Sequence, residues 1–262
     1  MRLLNVDTFE LEEFVGEQVN EIGYAILSHT WEGKEVSFHD IQQPDAIQNL
    51  RHPPSPAWSK VQNACAQARN DGHRYIWIDT CCIDKSSSAE LQEAINSMFN
   101  WYLGSKCCYA FLSDVPPGSE SIADSRWFTR GWTLQELLAP DVVVFFNSAW
   151  TAIGCRGNAD LIASITKSKN MLIEGNILLA RNEVESRSNV RKFFRSFPVA
   201  RKMSWASGRQ TTRVEDRAYC LLGLFDITMP LLYGEGEKAF QRLQHEIMRT
   251  SDDCTILAWG YG

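Results

Sequence analysis

Short apolar runs that alternate with helical segments are the feature that most limits the fold of this chain. Four runs are continuously apolar and rich in aromatic and β-branched residues, and they cover residues 24–28, 75–79, 108–113 and 142–146. Strands that are buried on both faces show this pattern. Apolar residues recur at helical spacing in between, over residues 57–68 and 91–102. The alternation predicts an α/β fold, with a short parallel sheet flanked by helices.

The ends of the two predicted helices carry recognisable signals. Asp71 and Gly72 follow the first helix, and glycine is common just after a helix C-terminus. Ser87 and Glu90 have the spacing of a capping box at the start of the second helix.

The pattern changes after Trp150, where helical spacing dominates. The elements predicted there are helices at residues 197–206, 214–225 and 237–250 and a strand at residues 255–259. No repeat or low-complexity linker separates the two parts. We therefore predict an α/β core at residues 1–150 and a mostly helical C-terminal extension at residues 151–262 that packs on the core.

Composition and charge argue against several kinds of partner and site. The formal net charge of −6 disfavours a nucleic-acid surface, although residues 187–213 are locally basic. The eight cysteines include no C-x-x-C motif, so no metal site is predicted. The first residues carry acids where a signal peptide would be apolar, and no apolar stretch has the length of a membrane span. We expect a cytoplasmic protein.

Polar and aromatic side chains follow the predicted strands at their carboxyl ends. Ligands bind at that edge of a parallel sheet. The candidate substrate-binding residues are Ser28, His29, Trp31, Asp84, Lys85, Arg130 and Trp132. Neither a glycine-rich dinucleotide motif nor a P-loop is present, so no tightly held nucleotide cofactor is predicted.

Several blocks of this sequence resemble a known family. The blocks are YAILSHTW at 24–31, YIWIDTCCIDKSS at 75–87, SRWFTRGWTLQELLAP at 125–140 and MPLLYGEGEKAFQRLQ at 229–244. They are similar to the signature blocks of the fungal heterokaryon incompatibility (HET) domain and occur in the same order. The resemblance implies a role in self/non-self recognition and programmed cell death, with homo-oligomer formation on activation and an upstream recognition protein as a partner.

The HET family is in turn similar to Toll/interleukin-1 receptor (TIR) domains, which have a flavodoxin-like fold. The shared features are Leu-Ser at 27–28 and 112–113, Asp79, and the segment WTLQEL at 132–137. Glu136 matches the catalytic glutamate of TIR enzymes that hydrolyse NAD, so the resemblance makes Glu136 the candidate catalytic residue. Thr133 stands where those enzymes usually have cysteine. This resemblance implies that NAD is a substrate rather than a cofactor.

The chemistry of NAD hydrolysis gives Glu136 a separate physical rationale. Cleavage between nicotinamide and ribose passes through an oxocarbenium-like transition state, which a fixed carboxylate stabilises. Trp31 or Trp132 is suited to stacking on a flat base, and Arg130 or Lys85 to binding the pyrophosphate.

Structural roles are open alternatives for several of these residues. The segment from Thr133 to Glu136 also fits a capping box, in which the glutamate only satisfies a backbone N–H. Asp79 is more typical of a turn cap. Arg213, Glu215 and Asp216 stand at a helix start, where such charges are usually structural.

Two other functions remain open. TIR-like folds also serve as non-catalytic oligomerising modules in cell-death signalling. A caspase-like cysteine peptidase is the third reading, because His29 precedes Cys81 and Cys82 by roughly 50 residues. The caspase motif around the nucleophile is missing, however.

Overall fold

The fold is known from a computed structural model that describes residues 1–16, 18–119, 122–167, 171–184 and 186–258. Its strands are β1 (Arg2–Asn5), β2 (Leu11–Glu13), β3 (Ala25–His29), β4 (Tyr75–Trp77), β5 (Cys107–Phe111), β6 (Val143–Phe146) and β7 (Ala152–Cys155). They form one seven-stranded sheet in the order β2-β1-β4-β3-β5-β6-β7.

Helices pack against this sheet and make up most of the second half of the chain. They are α1 (Gln18–Ile22), α2 (Phe38–Ile41), α3 (Ala46–Arg51), α4 (Pro56–Asn70), α5 (Ser88–Gly104), α6 (Thr133–Leu138), α7 (Ala159–Ile165), α8 (Gly175–Asn182), α9 (Arg187–Arg195), α10 (Val199–Ser207), α11 (Asp216–Tyr219), α12 (Leu222–Phe225) and α13 (Lys238–Thr250).

The four predicted strands are confirmed and form the centre of the sheet. β3 pairs in parallel with β4 on one side and with β5 on the other, and β5 pairs in parallel with β6. The α/β class is therefore confirmed. Nearly every residue of these four strands is buried, which agrees with their continuous apolar pattern.

The sheet as a whole is mixed rather than parallel, because three antiparallel strands extend its edges. β1 and β2 lie beyond β4, and β7 lies beyond β6. Their sequences did not reveal them. β2 consists of one leucine and two glutamates, and β7 contains Gly154 and is partly exposed. Edge strands are often short and charged because unpaired edges favour aggregation, so they lack a strong strand pattern.

The helices predicted in the second half are present, with two corrections. The predicted helix at 214–225 is interrupted between α11 and α12. The predicted strand at 255–259 is wrong over residues 255–257, because Cys254–Leu257 forms a 3₁₀ helix. The Asp253 side chain accepts a hydrogen bond from the N–H of Thr255 at 2.9 Å and so starts this helix. Residues 259–262 lie outside the described part.

The signals at the ends of α4 and α5 are present in the fold. Gly72, with a φ of 81°, follows α4. The Ser87 hydroxyl accepts a hydrogen bond from the N–H of Glu90, as predicted, but the Glu90 carboxylate binds the N–H of Asp84 and the guanidinium of Arg2 instead of completing a capping box. Of the two hydrogen bonds of the predicted capping box, α5 therefore has the one to the Ser87 hydroxyl and lacks the one to the Glu90 carboxylate.

The second half packs directly against α5, which positions it beside the sheet edge. A Cβ on Gly223 of α12 would lie 2.1 Å from the Cβ of Phe99, so only glycine allows this approach. The amide of Asn96 also exchanges hydrogen bonds with the backbone of Met229, at 3.1 and 3.2 Å. The segment after α11 is thereby held close to the carboxyl ends of β3 and β4.

Candidate active site

A cavity of about 320 Å³ opens at the carboxyl ends of β3 and β4. Helices α5 and α6 form two of its walls, and another is formed by Thr212, Arg213, Asp216 and Tyr233. A volume of this size lies at the lower end of the range for small-molecule sites. Of the predicted residues, those that line the cavity are His29, Trp31, Lys85, Arg130, Trp132 and Glu136.

The side chain of Glu136 faces this cavity from α6 and is 7% exposed. The Ser28 hydroxyl donates a hydrogen bond to the Glu136 carboxyl group, and the indole N–H of Trp127 donates to the Ser28 oxygen at 2.8 Å. Ser28 therefore lies behind Glu136 rather than in the cavity wall. The capping alternative for Glu136 is wrong, because α6 has no side-chain cap.

Burial raises the pKa of Glu136 to about 8. The negative charge of Asp79 raises this pKa further, whereas hydrogen bonds from Ser28 and Tyr102 and the charge of Arg209 lower it. At neutral pH the empty cavity therefore holds mainly a protonated carboxyl group. A cation bound beside it would favour the ionised form.

Two buried arginines hold the C-terminal end of α6. The guanidinium of Arg156 donates to the carbonyl oxygens of Leu137, Pro140 and Asp141, and that of Arg181 donates to those of Leu138, Ala139 and Pro140. Both arginine side chains are fully buried. The last carbonyls of a helix have no partner within it, so these contacts fix the helix that carries Glu136. Sequence reasoning missed both arginines.

Arg209 and Thr133 fix the other end of α6. The Arg209 guanidinium donates to the Thr133 hydroxyl and to the carbonyl oxygen of Arg130, each at 2.8 Å. The Thr133 hydroxyl donates in turn to the carbonyl oxygen of Trp127 at 2.6 Å. A threonine, unlike a cysteine, provides a strong acceptor and donor here.

His29 lies at the end of β3, and its side chain is 1% exposed. Neither ring nitrogen has a hydrogen-bond partner in the described part of the chain. The nearest carboxylate oxygens belong to Glu35 and Asp79, each 3.9 Å from one of the two nitrogens. Burial lowers the pKa of His29 to about 3, and the charge of Lys60 adds to this effect, so the ring is neutral.

Asp79, Trp31 and Lys85 form a connected group at the cavity mouth. One Asp79 oxygen accepts a hydrogen bond from the Trp31 indole at 3.0 Å and lies 3.6 Å from the Lys85 ammonium. That ammonium is 3.7 Å from the centre of the Trp31 ring, and Trp31 is 52% exposed. Burial acts to raise the pKa of Asp79, but the nearby positive charges, chiefly that of Lys85, and the hydrogen bond from Trp31 together outweigh it and hold this pKa below its usual value.

The opposite wall comes from the second half of the chain. Tyr233 donates a hydrogen bond to Asp216 at 2.9 Å, and Trp132 donates another. The Arg213 guanidinium lies 4.5 Å from the centre of the Tyr233 ring. Arg130 donates to the Thr212 hydroxyl, and it makes no ion pair with any carboxylate that the structure describes.

Several of the wall residues were assigned structural roles or missed from the sequence. Asp79, Arg213 and Asp216 were expected to be structural, and Tyr102 was seen only as part of a helix pattern, yet all four line the cavity. Only the position of Asp79 at the end of a predicted strand was a usable signal. Glu215 is structural as expected, since its carboxylate accepts hydrogen bonds from the N–H groups of Gly234 and Gly236.

Asp84 does not line the cavity. Its carboxylate accepts two hydrogen bonds from Ser86, one from the backbone and one from the hydroxyl, which is a turn interaction.

The cysteine peptidase alternative finds no support in this geometry. Cys81 and Cys82 are buried, and the hydrogen bond with Cys82 together with burial raises the pKa of Cys81 well above its usual value. Neither thiol is bonded to His29. A protonated buried thiol is a poor nucleophile.

Within the described ranges, no cluster of three or more His, Cys, Asp or Glu side chains is arranged to hold a metal ion. None of the helices described is both long enough and apolar enough to cross a membrane.

Comparison with known proteins gives two matches. The family model described as "Heterokaryon incompatibility protein (HET)" matches residues 24–117. The chain is also 41% identical over 245 residues to the vegetative incompatibility protein HET-E-1 of Podospora anserina. That alignment covers 88% of this chain but only 16% of the relative. No solved structure matches this chain significantly. Residues 24–117 are therefore similar to the heterokaryon incompatibility family, and most of the chain is similar to this vegetative incompatibility protein.

Proposed function

We propose that this chain acts in vegetative incompatibility by hydrolysing NAD to nicotinamide and an ADP-ribose product. The observation that carries the proposal is the buried carboxyl group of Glu136 at the floor of a cavity whose rim holds Lys85, Arg130 and Arg213. A carboxylate suits the cationic end of NAD, and the rim cations suit its pyrophosphate. The role in incompatibility is suggested by the name of the relative.

The order of the central strands supports a TIR-like, flavodoxin-like fold as part of this proposal. Taken in chain order, the four parallel strands lie in the sequence second, first, third, fourth across the sheet. Flavodoxin-like folds begin with the same order and bind their ligands at the carboxyl ends, where the order reverses. In this chain the cavity opens at the carboxyl ends of β3 and β4, and β3 is the strand at which the order reverses.

Glu136 has the electrostatics that the reaction needs. With a pKa of about 8 it is largely neutral in the empty cavity. The pyridinium of NAD carries a positive charge, which would draw the proton from this group and pair with the resulting carboxylate. As the bond between the ribose carbon and the pyridine nitrogen breaks, its electron pair goes to nicotinamide and positive charge develops on the ribose. The carboxylate stabilises that charge.

Water completes the reaction. Its oxygen bonds to the ribose carbon, and its proton passes to the carboxylate or to solvent, which leaves an ADP-ribose product and neutral nicotinamide. One carboxylate is sufficient because the leaving group needs no proton.

Nicotinamide release by purified protein tests the proposal. We expect turnover of NAD, at least when the protein is concentrated on a multivalent scaffold, and a loss of about 100-fold or more in Glu136→Gln. Glu183→Gln is the matched control, because Glu183 is an exposed acid at the end of α8. Absence of turnover in both the free and the clustered protein would reject the enzymatic proposal.

The alternative function, a non-catalytic oligomerising module, can be distinguished from NAD hydrolysis by the effect of Glu136→Gln in cells. Expression of the wild-type chain should kill fungal cells, and Glu136→Gln should abolish killing if NAD hydrolysis is the cause. If Glu136→Gln still kills while NAD levels stay constant, the chain acts through assembly alone.

A further inference from the structure

Among the described residues, two polar atoms without hydrogen-bond partners lie close together in the cavity that contains Glu136. The Nδ1 atom of His29 lies 3.9 Å from the Oδ1 atom of Asp79. Among the residues described, neither atom has a hydrogen-bond partner, since the contacts of Asp79 with Trp31 and Lys85 use its other oxygen. Both residues line the cavity.

The isolation of His29 calls for an explanation, because buried polar side chains almost always have a hydrogen-bond partner. Its side chain is 1% exposed, so bulk water does not reach it freely. The ring is neutral, since burial and the charges of Lys60 and Lys85 disfavour protonation. A neutral imidazole has one N–H donor and one acceptor nitrogen. A bound ligand is the natural partner for the nitrogen on the cavity side.

We propose that His29 and Asp79 together bind a primary carboxamide group. This inference rests on the proposed function, in which the carboxamide is part of NAD. The pair then makes the site prefer nicotinamide over nicotinate, the corresponding carboxylic acid. The N–H of His29 donates to the amide oxygen, and the free Asp79 oxygen accepts from the amide nitrogen.

The spacing of the pair fits this arrangement. The oxygen and nitrogen of a primary amide are about 2.3 Å apart, as their bond lengths require. Two slightly divergent hydrogen bonds of about 2.9 Å connect them to a donor and an acceptor that are 3.9 Å apart. The Trp31 indole and the Lys85 ammonium hold the other Asp79 oxygen, and so fix the orientation of the carboxylate before a ligand arrives.

The same geometry disfavours a carboxylic acid. Nicotinate at neutral pH has two acceptor oxygens and no N–H, so one of them would lie against the Asp79 carboxylate. Repulsion between these two carboxylates in a partly buried cavity weakens binding more than the loss of one hydrogen bond does. Nicotinate should therefore bind more weakly than a ligand that only lacks the amide N–H. A methyl ketone in place of the amide keeps the bond to His29 and loses only the one to Asp79.

Binding of three small pyridines to the whole chain tests this proposal without any turnover. The probes are nicotinamide, 3-acetylpyridine and nicotinate, titrated by ligand-detected NMR. For the wild type we expect nicotinamide to bind at least ~10-fold more tightly than nicotinate, with 3-acetylpyridine between them. In Asp79→Asn, whose side chain can present an N–H to the ligand, the preference should fall below about 3-fold. Asp160→Asn, a change at an exposed acid in α7, should keep the wild-type preference.

His29→Phe separates a binding role from a structural one. Phenylalanine keeps a ring of similar shape and removes the two unpaired nitrogens, so the thermal midpoint should stay equal or rise. Nicotinamide affinity should nevertheless fall about 10-fold. A lower midpoint with an unchanged preference among the probes would show that His29 serves only the fold.

The outcomes distinguish this inference from the proposed function. If nicotinamide binds but Asp79→Asn leaves the amide preference unchanged, the pair is not the selector, and NAD hydrolysis is untouched. If the amide preference behaves as expected but NAD is not turned over, the enzymatic proposal fails and the carboxamide site stands. If none of the pyridines binds the wild type, the inference is overturned.

Discussion

The hydroxyl of Ser28 donates a hydrogen bond to the carboxyl group of Glu136, although 108 positions separate the two residues in the chain. Ser28 lies on the central strand β3 and Glu136 on the short helix α6. The indole of Trp127 completes the chain of bonds by donating to Ser28 at 2.8 Å. This chain orients the acid at the floor of the cavity.

We expect Glu136→Gln to increase stability progressively as the pH rises above 4.5. The pKa of Glu136 is about 8 in the folded state against 4.5 as the ordinary value. Between pH 4.5 and pH 8 the folded state keeps this proton bound while the unfolded state releases it. The contribution of Glu136 to stability is therefore complete below pH 4.5 and is progressively lost as the pH rises to 8. Glutamine avoids this loss. Urea unfolding at pH 8.5 should show the variant more stable by on the order of 3–5 kcal/mol, with little difference at pH 4.5. Equal differences at both pH values would contradict a raised pKa.

Ser28→Ala should move the pH dependence of NAD hydrolysis to higher pH. The hydrogen bond from Ser28 lowers the pKa of Glu136, so its removal raises that pKa further. A pH–rate profile of nicotinamide release should show the acidic limb displaced upward and the maximal rate reduced about 10-fold or more. An unshifted profile with a lower rate would mean that the hydroxyl only packs against Glu136.

Arg156→Ala and Arg181→Ala should each destabilise the fold by about 2–5 kcal/mol. Each side chain is fully buried and donates to several carbonyl oxygens at the end of α6, which would lose their partners. Arg249→Ala is the control, because its ion pair with Glu246 is at the surface and should be worth less than about 1 kcal/mol. Urea unfolding measures all three variants, and a small effect at Arg156 and Arg181 would show that α6 does not depend on them.

Arg130→Ala should weaken the binding of ADP-ribose about 10-fold without affecting that of free nicotinamide. Among the described residues, the guanidinium of Arg130 is hydrogen-bonded to the Thr212 hydroxyl alone, so it is available to a phosphate. Arg217→Ala, a change at an arginine outside this cavity, is a suitable comparison. Calorimetric titration gives both affinities. A parallel loss of nicotinamide binding would indicate a collapse of the cavity rather than a lost phosphate contact.

Much of the fold was readable from local patterns, for reasons visible in particular elements. The strand from residue 108 is apolar throughout because both of its faces are buried, and α5 has a regular apolar stripe because one side packs on the sheet. β2 and β7 were not readable, since an edge strand is stabilised by one neighbour and needs no strong pattern of its own.

The candidate site divides in the same way. The sequence alone determined that Ser28, His29 and Glu136 belong to segments at one edge of a parallel sheet, because strand and helix patterns are local and parallel strands end together. Only the tertiary structure decided that burial raises the pKa of Glu136, that neither ring nitrogen of His29 has a partner among the described residues, and that Asp216 joins the opposite wall. Those properties follow from burial and from contacts between residues far apart in the chain. Neither can be predicted from local sequence patterns.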